Sequence, residues 1–149
     1  MVPGLPVDPD TLPEVLPPHR RPLLLAAVAL GGALGAAARY AFSLHVTPAA
    51  DGFPTATFLI NLSGCFLLGL LVALLARRAR PGTRVADYGR AFLGSGVLGA
   101  WTTYSAFGVE TDLLVHHRHA GVAVAYVLAS VAGGIVLAAA GIAAGERWP

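Results

Sequence analysis

The sequence predicts an all-α membrane protein with four transmembrane helices, the third of which is broken near its middle. Of its 149 residues, 56% are hydrophobic and only 12% are charged, whereas about a quarter of the residues in soluble domains are charged. Four apolar segments each approach or exceed the ~20 residues that cross the hydrocarbon core of a bilayer. The third segment differs from the others, because glycines, hydroxyls and aromatic rings are concentrated near its centre.

The N-terminal segment, residues 1–22, differs in composition from the rest of the chain. It contains seven prolines and three acidic residues, so it is predicted to be a flexible tail that buries no core. It does not resemble a cleavable signal peptide, because it is acidic before Arg20 and the apolar run after it is too long. Residues 23–145 are predicted to form a single transmembrane domain.

Four apolar segments account for nearly all of that domain. They comprise residues 23–44, 55–76, 91–109 and 120–144. The first is interrupted only by Arg39, and the other three carry no charge. The connections are too short to hold a second domain, and they comprise residues 45–54, 77–90 and 110–119. Each segment is therefore predicted to be one membrane span.

The arginines are distributed unequally between the two sides of this predicted bundle. Four spans place the N-terminus, the second connection and the C-terminus on one side. That side holds eight of the ten arginines, and the other side holds only Arg39 and Arg118. The eight are Arg20, Arg21, Arg77, Arg78, Arg80, Arg84, Arg90 and Arg147. Because basic residues near span ends favour the cytoplasmic side, we predict a multi-pass protein of the cell membrane with both termini in the cytoplasm.

Glycines four residues apart occur in the first and fourth segments, at Gly31 and Gly35 and at Gly141 and Gly145. Pairs with this spacing let the backbones of neighbouring membrane helices approach closely. We interpret these four glycines as packing positions within the bundle.

The third segment contains the most informative stretch of the chain, Gly-Ala-Trp-Thr-Thr-Tyr-Ser-Ala-Phe at residues 99–107. Small residues, hydroxyls and rings at bilayer depth predict a broken helix. Irregular backbone is tolerated at that depth only where protein buries it or where it lines an aqueous cavity. The stretch therefore predicts a permeation site rather than a soluble active site.

Two polar side chains inside the spans each have two interpretations. Arg39 lies near the outer end of the first span, where it either extends to the interface or attracts anions at the mouth of a vestibule. Asn61 in the second span either holds helices together or donates hydrogen bonds to a pore. Thr57 lies four residues before Asn61 and so on the same helix face, which favours a polar track.

Other chemistries find less support. The histidine-rich residues 116–119 with Asp112 match no standard metal-binding spacing, so a solvated loop is favoured. Ser105 has no base within a span to activate it, and we predict no enzymatic activity. No carboxylate lies deep in any predicted span, which disfavours a proton-coupled transporter of the small multidrug type. No nucleic acid is expected as a partner.

Three motifs, in this order, resemble the CrcB/Fluc family of fluoride channels. They are GGALGAAARY at residues 31–40, NLSGCFLLG at 61–69 and GAWTTYSAF at 99–107, and the resemblance covers about residues 23–144. It implies a small antiparallel dimer whose two pores export cytoplasmic fluoride passively. It also implies a structural Na⁺ ion at the dimer centre, bound by the backbone carbonyls of Gly99 and Thr102.

The same resemblance implies a fluoride pathway and its vestibules. The pathway residues would be Asn61, Thr57, Tyr104, Phe107, Ser105 and Ser130, and the vestibule residues Arg39 and Glu110. Fluoride is small and strongly hydrated, so a pore must replace its water with close donors, which amide and hydroxyl groups supply. The edges of aromatic rings carry partial positive charge and can also face an anion. A cation in the narrow region would bind the ion too tightly for release.

The sequence also departs from the family pattern. Tyr104 occupies a position that is usually phenylalanine, and Ala106 one that is often threonine. The arginine bias is a further departure, because an antiparallel homodimer needs one sequence that inserts both ways. We therefore hypothesise that the chain pairs with a homologous chain of opposite charge bias. A small multidrug-type transporter, or a non-conducting partner subunit of a heterodimeric fluoride channel, are the alternative functions.

Overall fold

The structure, a computed structural model, describes residues 21–47, 49–78 and 84–148. All secondary structure in those residues is helical, as predicted. Most of the predicted N-terminal tail lies outside the described residues. The elements are α1 (Pro22–His45), α2 (Thr55–Arg78), α3 (Arg84–Gly89), a π-helix (Arg90–Leu98), α4 (Gly99–Trp101), α5 (Tyr104–His116) and α6 (Ala120–Arg147).

Among the described helices, α1, α2 and α6 are long and apolar enough to cross a bilayer without interruption. Their mean hydropathies are 1.6, 2.4 and 2.3. Many large apolar side chains on them are exposed, including Leu23, Leu30 and Ile135 at 69%, 65% and 66%. Such surfaces suit lipid as the surrounding solvent, since lipid imposes no penalty on an exposed leucine.

The predicted third span is helical but interrupted, which confirms the predicted break. Helical residues run from Arg84 to Trp101 and again from Tyr104 to His116. Between them Thr102 (φ −73°, ψ 158°) and Thr103 (φ −147°, ψ 124°) are extended. We call these two residues the helix break.

The predicted connection over residues 110–119 is mostly wrong. The α5 helix continues through Glu110 to His116, and only residues 117–119 join it to α6. The turn is this tight because Arg118 adopts a left-handed conformation with φ 64°. Glu110 therefore lies inside a helix and not in a loop.

The helices pack as two close pairs, α2 against α6 and α1 against the π-helix. The glycines predicted to mediate packing lie in these interfaces. A Cβ on Gly35 would overlap the Val97 carbonyl, and one on Gly141 would overlap the Phe66 carbonyl. Only glycine therefore permits these backbone approaches.

One end of the bundle is tied together by two arginines. The Nη1 of Arg21, just before α1, lies 3.0 Å from Oδ2 of Asp87 in α3. Arg77, near the end of α2, donates to the carbonyls of Gly145 and Trp148 at 3.2 and 2.7 Å and also to that of Glu146. These carbonyls belong to the C-terminal end of α6, where no N–H group later in the helix is present to bond them. Each arginine thus joins the ends of two helical elements.

Candidate functional site

The helix break is held open by the side-chain amide of Asn61 on α2. Asn61 Nδ2 donates to the Thr103 carbonyl at 3.0 Å, and the Thr103 N–H donates to Asn61 Oδ1 at 2.8 Å. The amide thus replaces both hydrogen bonds that a neighbouring peptide group would make. Without it, two backbone groups would be left unpaired at a buried position, at a substantial cost.

Side chains of the break complete its hydrogen bonding. Thr103 caps α5, because its Oγ1 accepts the Ala106 N–H at 3.2 Å. Thr102 Oγ1 donates back to the Leu98 carbonyl at 2.9 Å. A threonine N-cap of this kind is worth about 1 kcal/mol to the helix it begins. The two threonines therefore end one helix and begin the next.

The surface of α2 is shaped to receive the break. Gly64 faces Thr102, and a Cβ on this glycine would overlap the threonine methyl group. One residue earlier, the Ser63 hydroxyl accepts a hydrogen bond from Trp101 Nε1 at 3.0 Å. Together with Asn61, these residues fix three consecutive residues of the third helical segment against α2.

A cavity of about 410 Å³ lies beside the break and brings together six of the predicted site residues. Its full lining is Asn61, Gly64, Cys65, Leu68, Gly94, Leu98, Gly99, Thr102, Thr103, Tyr104, Phe107, Ser130 and Val131. None of these residues is charged. The cavity thus combines apolar walls with a few hydroxyl, amide and backbone groups, which suits a ligand recognised by hydrogen bonds.

Two features of this cavity bear on anion binding. The Ser130 hydroxyl is buried, and among the described residues it has no hydrogen-bond partner. The rings of Tyr104 and Phe107 lie 6.0 Å apart at an interplanar angle of 40°. Tyr104 is 85% exposed, so this wall of the cavity is open in a single chain.

The other four predicted site residues, Thr57, Ser105, Arg39 and Glu110, lie outside that cavity. Thr57 and Arg39 line a smaller cavity of about 210 Å³, on the other side of Thr103. Ser105 is exposed, with its Oγ 3.3 Å from Thr103 Oγ1. The predicted polar track from Thr57 to Asn61 is therefore divided between two cavities, and Thr103 borders both of them.

Glu110 occupies a buried hydrogen-bonded cluster that sequence reasoning did not predict. Thr57 Oγ1 donates to its Oε1 at 2.8 Å, and the Tyr126 hydroxyl donates to its Oε2 at 3.0 Å. Tyr126 is fully buried and was missed, although its position one helical turn before Ser130 placed both hydroxyls on one face of the fourth segment. The cluster ties α2, α5 and α6 together.

Glu110 also borders a third cavity, of about 670 Å³, between the 46–56 connection and the end of α5. His117, His119 and Asp51 line the same cavity. The histidine side chains are exposed, as expected for a solvated segment, although His116 and Asp112 lie in α5 and not in a loop. Within the part of the chain that the structure describes, no group of three or more His, Cys, Asp or Glu residues is arranged to bind a metal.

The comparisons with known proteins agree on one family. Residues 26–142 match the model described as CrcB-like protein, Camphor Resistance (CrcB). The chain is 43% identical over 123 residues to Fluoride-specific ion channel FluC 3 of Streptomyces avermitilis, covering 83% of this chain and 58% of that protein. It is 45% identical over 122 residues to Fluoride-specific ion channel FluC of Deinococcus radiodurans, covering 80% of this chain and 93% of that protein. It is 42% identical over 119 residues to Fluoride-specific ion channel FluC of Paracoccus denitrificans, covering 80% of this chain and 91% of that protein.

Proposed function

Because this chain belongs to the CrcB-like family, we propose that it is a fluoride-specific channel that lets fluoride leave the cytoplasm passively and so lowers its toxicity. Hydrogen fluoride enters cells as the neutral acid and dissociates inside. An open anion pore then lets fluoride leave down its electrochemical gradient, with no ATP and no proton coupling. The relatives that carry the name of fluoride-specific channels match over most of this chain.

The membrane topology we propose has four crossings, with both termini in the cytoplasm. Three crossings are α1, α2 and α6, and the interrupted helical segment from Arg84 to His116 makes the remaining one. Two contacts support this arrangement, because each joins the ends of two elements that the topology places on the cytoplasmic side. They are the Arg21–Asp87 ion pair and the bonds from Arg77 to the end of α6. The break then lies near the bilayer centre.

The observation that carries the function is the uncharged cavity at the break. A fluoride ion there would meet the Asn61 amide, the Ser130 hydroxyl and the edges of Tyr104 and Phe107, all of which border the cavity. Ser105 and Thr57 would extend the path, and Arg39 and Glu110 would lie at its vestibules. Donors without full charges can replace water around the ion and still release it.

The proposed assembly is an antiparallel dimer with two pores, because the cavity is incomplete in one chain. Tyr104 is 85% exposed on its open side, where a second chain would cover it. Gly99 and Thr102 border the same cavity, and a cation such as Na⁺ binds carbonyl oxygens released by a broken helix. When bound at the dimer centre, Na⁺ would supply positive charge and join the chains.

The second chain of that dimer is proposed to be a homologue of opposite charge bias. Eight arginines against two favour one fixed orientation of this chain in the membrane, whereas an antiparallel pair needs both. The same bias supports the alternative that this chain is a non-conducting partner subunit. In either case the partner would complement the tyrosine at position 104.

Fluoride efflux from liposomes tests passive conduction. Vesicles loaded with potassium fluoride and containing the purified chain are diluted into fluoride-free buffer, and released fluoride is followed with an electrode. A passive anion channel releases little until valinomycin lets potassium follow, because uncompensated charge stops the flux. Rapid release without valinomycin that depends on a pH gradient would instead indicate a proton-coupled transporter.

A further inference from the structure

We propose that Thr103 is a positioning residue, whose hydroxyl, together with the Asn61 amide, keeps the carbonyls of Thr102 and Gly99 available to Na⁺. The inference rests on the proposed function, because it takes the sodium site at the break as its premise. The side chains concerned do not bind Na⁺ or fluoride through these contacts. They hold the backbone whose carbonyls would bind Na⁺.

The register of an α-helix determines which N–H groups compete for these two carbonyls. Each carbonyl in an uninterrupted helix accepts the N–H four residues later. The Gly99 carbonyl would thus be taken by the N–H of Thr103, and the Thr102 carbonyl by that of Ala106. Either bond would turn an oxygen along the helix axis and remove it from the cavity.

In this structure both N–H groups are bonded to side chains instead. The Thr103 N–H donates to Asn61 Oδ1 at 2.8 Å, and the Ala106 N–H donates to Thr103 Oγ1 at 3.2 Å. The carbonyls deprived of donors in this way are those of Gly99 and Thr102, the two oxygens that the sodium site requires.

Burial stabilises these two hydrogen bonds from backbone N–H groups to side chains. Thr103 is only 9% exposed, so water is a poor competitor for its hydroxyl. The Asn61 amide holds Thr103 at both its N–H and its carbonyl. These groups belong to the two peptide groups on either side of the Thr103 Cα, so the amide opposes rotation of Thr103 into helical geometry. Two specific hydrogen-bond acceptors, Asn61 Oδ1 and Thr103 Oγ1, therefore maintain the break.

The Thr103 hydroxyl also connects the carbonyls to the proposed fluoride pathway. Its Oγ1 lies 3.3 Å from Ser105 Oγ. Since Oγ1 accepts the Ala106 N–H, its own proton is free to be donated to Ser105. The Ser105 proton then remains available to an anion, so one hydroxyl orients groups on both sides of the break.

The test measures sodium binding through protein stability. Thermal unfolding of the detergent-solubilised protein is recorded as Na⁺ replaces N-methylglucamine, for wild type, Thr103→Val, Thr103→Ser and Thr111→Val. Thr111 is the matched control, because it lies in the same helix and its hydroxyl donates to the Phe107 carbonyl at 2.7 Å. Thr103→Val should raise the half-saturating Na⁺ concentration about five- to tenfold, the value expected for one lost N-cap bond. Thr103→Ser and Thr111→Val should stay within about twofold of wild type, since each keeps the cap.

The outcomes separate the inference from its premise. If Na⁺ does not stabilise wild type, the sodium site itself is wrong and the inference with it. If wild type responds and Thr103→Val responds equally, the inference alone is overturned.

Two substitutions at Asn61 keep the inference testable if Thr103→Val does not fold. Asn61→Asp retains an acceptor for the Thr103 N–H but loses the donor to the Thr103 carbonyl, so it should keep part of the response to Na⁺. It should lose fluoride efflux, because a carboxylate repels the anion. Asn61→Leu retains no acceptor and should lose the response. Equal sodium responses in these two variants would contradict the role of the amide.

Discussion

At the scale of single residues, the lining of the cavity at the break carries hydrogen-bond donors and no charged side chains. The Ser130 hydroxyl is buried without a partner among the described residues, and a buried hydroxyl in that state normally costs stability. The Asn61 amide has two N–H groups, of which one is given to Thr103. A bound anion would satisfy both unused donors, and this supports their place in the proposed pathway.

Ser130→Ala separates this role from a structural one. Because the hydroxyl makes no hydrogen bond with the described protein groups, its removal should leave the unfolding temperature unchanged or slightly higher. Fluoride efflux should fall about five- to tenfold, as expected for the loss of one hydrogen bond of about 1–1.5 kcal/mol. Unfolding temperature and liposome efflux are measured on the same preparation, and unchanged efflux would remove Ser130 from the pathway.

Residue type and spacing predicted some of these side chains and missed others. Asn61 and the threonines at 102 and 103 stand out in sequence, because polar groups in an apolar span must find partners. The pairing of Glu110 with Tyr126 could not be predicted in this way. It depends on how far α5 extends and on which face of α6 packs against α5. The sequence placed Glu110 in a loop, and only the helical continuation brings its carboxylate to a hydroxyl from another helix.

At the scale of elements, the break depends on helices packed closely enough to enforce it. The π-helix just before the break lies against α1, where the Gly35 position meets the Val97 carbonyl. On the other side, α2 supplies the amide, the serine and the small residue that receive the extended backbone. Loosening either contact should loosen the break.

Gly35→Ala tests that dependence, with Gly32→Ala as the matched control on the same helix. A methyl group at Gly35 has no room, whereas nothing lies within 4 Å of the Cβ position at Gly32. We expect Gly35→Ala to cost about 1–3 kcal/mol by overpacking, and Gly32→Ala to be neutral or slightly stabilising. Denaturant or thermal unfolding in detergent compares the two, and equal stabilities would show that the close approach is not required.

The interrupted helix could be predicted from composition, but its internal geometry could not. Small residues and hydroxyls over residues 99–107 predicted that the apolar helix is interrupted there. The π-helical turns of Arg90–Leu98 have no such signal, because hydrogen bonds to the fifth residue depend on packing against a neighbouring helix. The same holds for the length of α5, which the sequence pattern ended too early.

At the scale of the whole molecule, charge and exposure both bear on the proposed assembly. The cavity is open where Tyr104 is exposed, and the arginine distribution favours a single orientation. An antiparallel pair of identical chains needs two orientations in the same membrane. The orientation and the assembly therefore have to be tested together.

Expression of the chain alone in cells that lack other fluoride channels tests the proposed pairing. A chain with one orientation should give little protection against external fluoride, and co-expression of a homologue with the opposite arginine bias should restore it. A variant with a smaller charge bias, Arg84→Gln with Arg90→Gln, has six arginines against two; it serves as the control and should protect better than wild type. Robust protection by the unmodified chain alone would refute the pairing.

The most direct measurement of the central claim compares fluoride with chloride efflux from liposomes that contain the purified chain. Reconstitution from detergent lets chains associate in either orientation, so the assay does not depend on cellular topology. If hydrogen-bond donors at a broken helix form a path for a small halide, fluoride should be released once valinomycin is added while chloride remains inside. Release of both anions at the same rate, or of neither, would contradict the account.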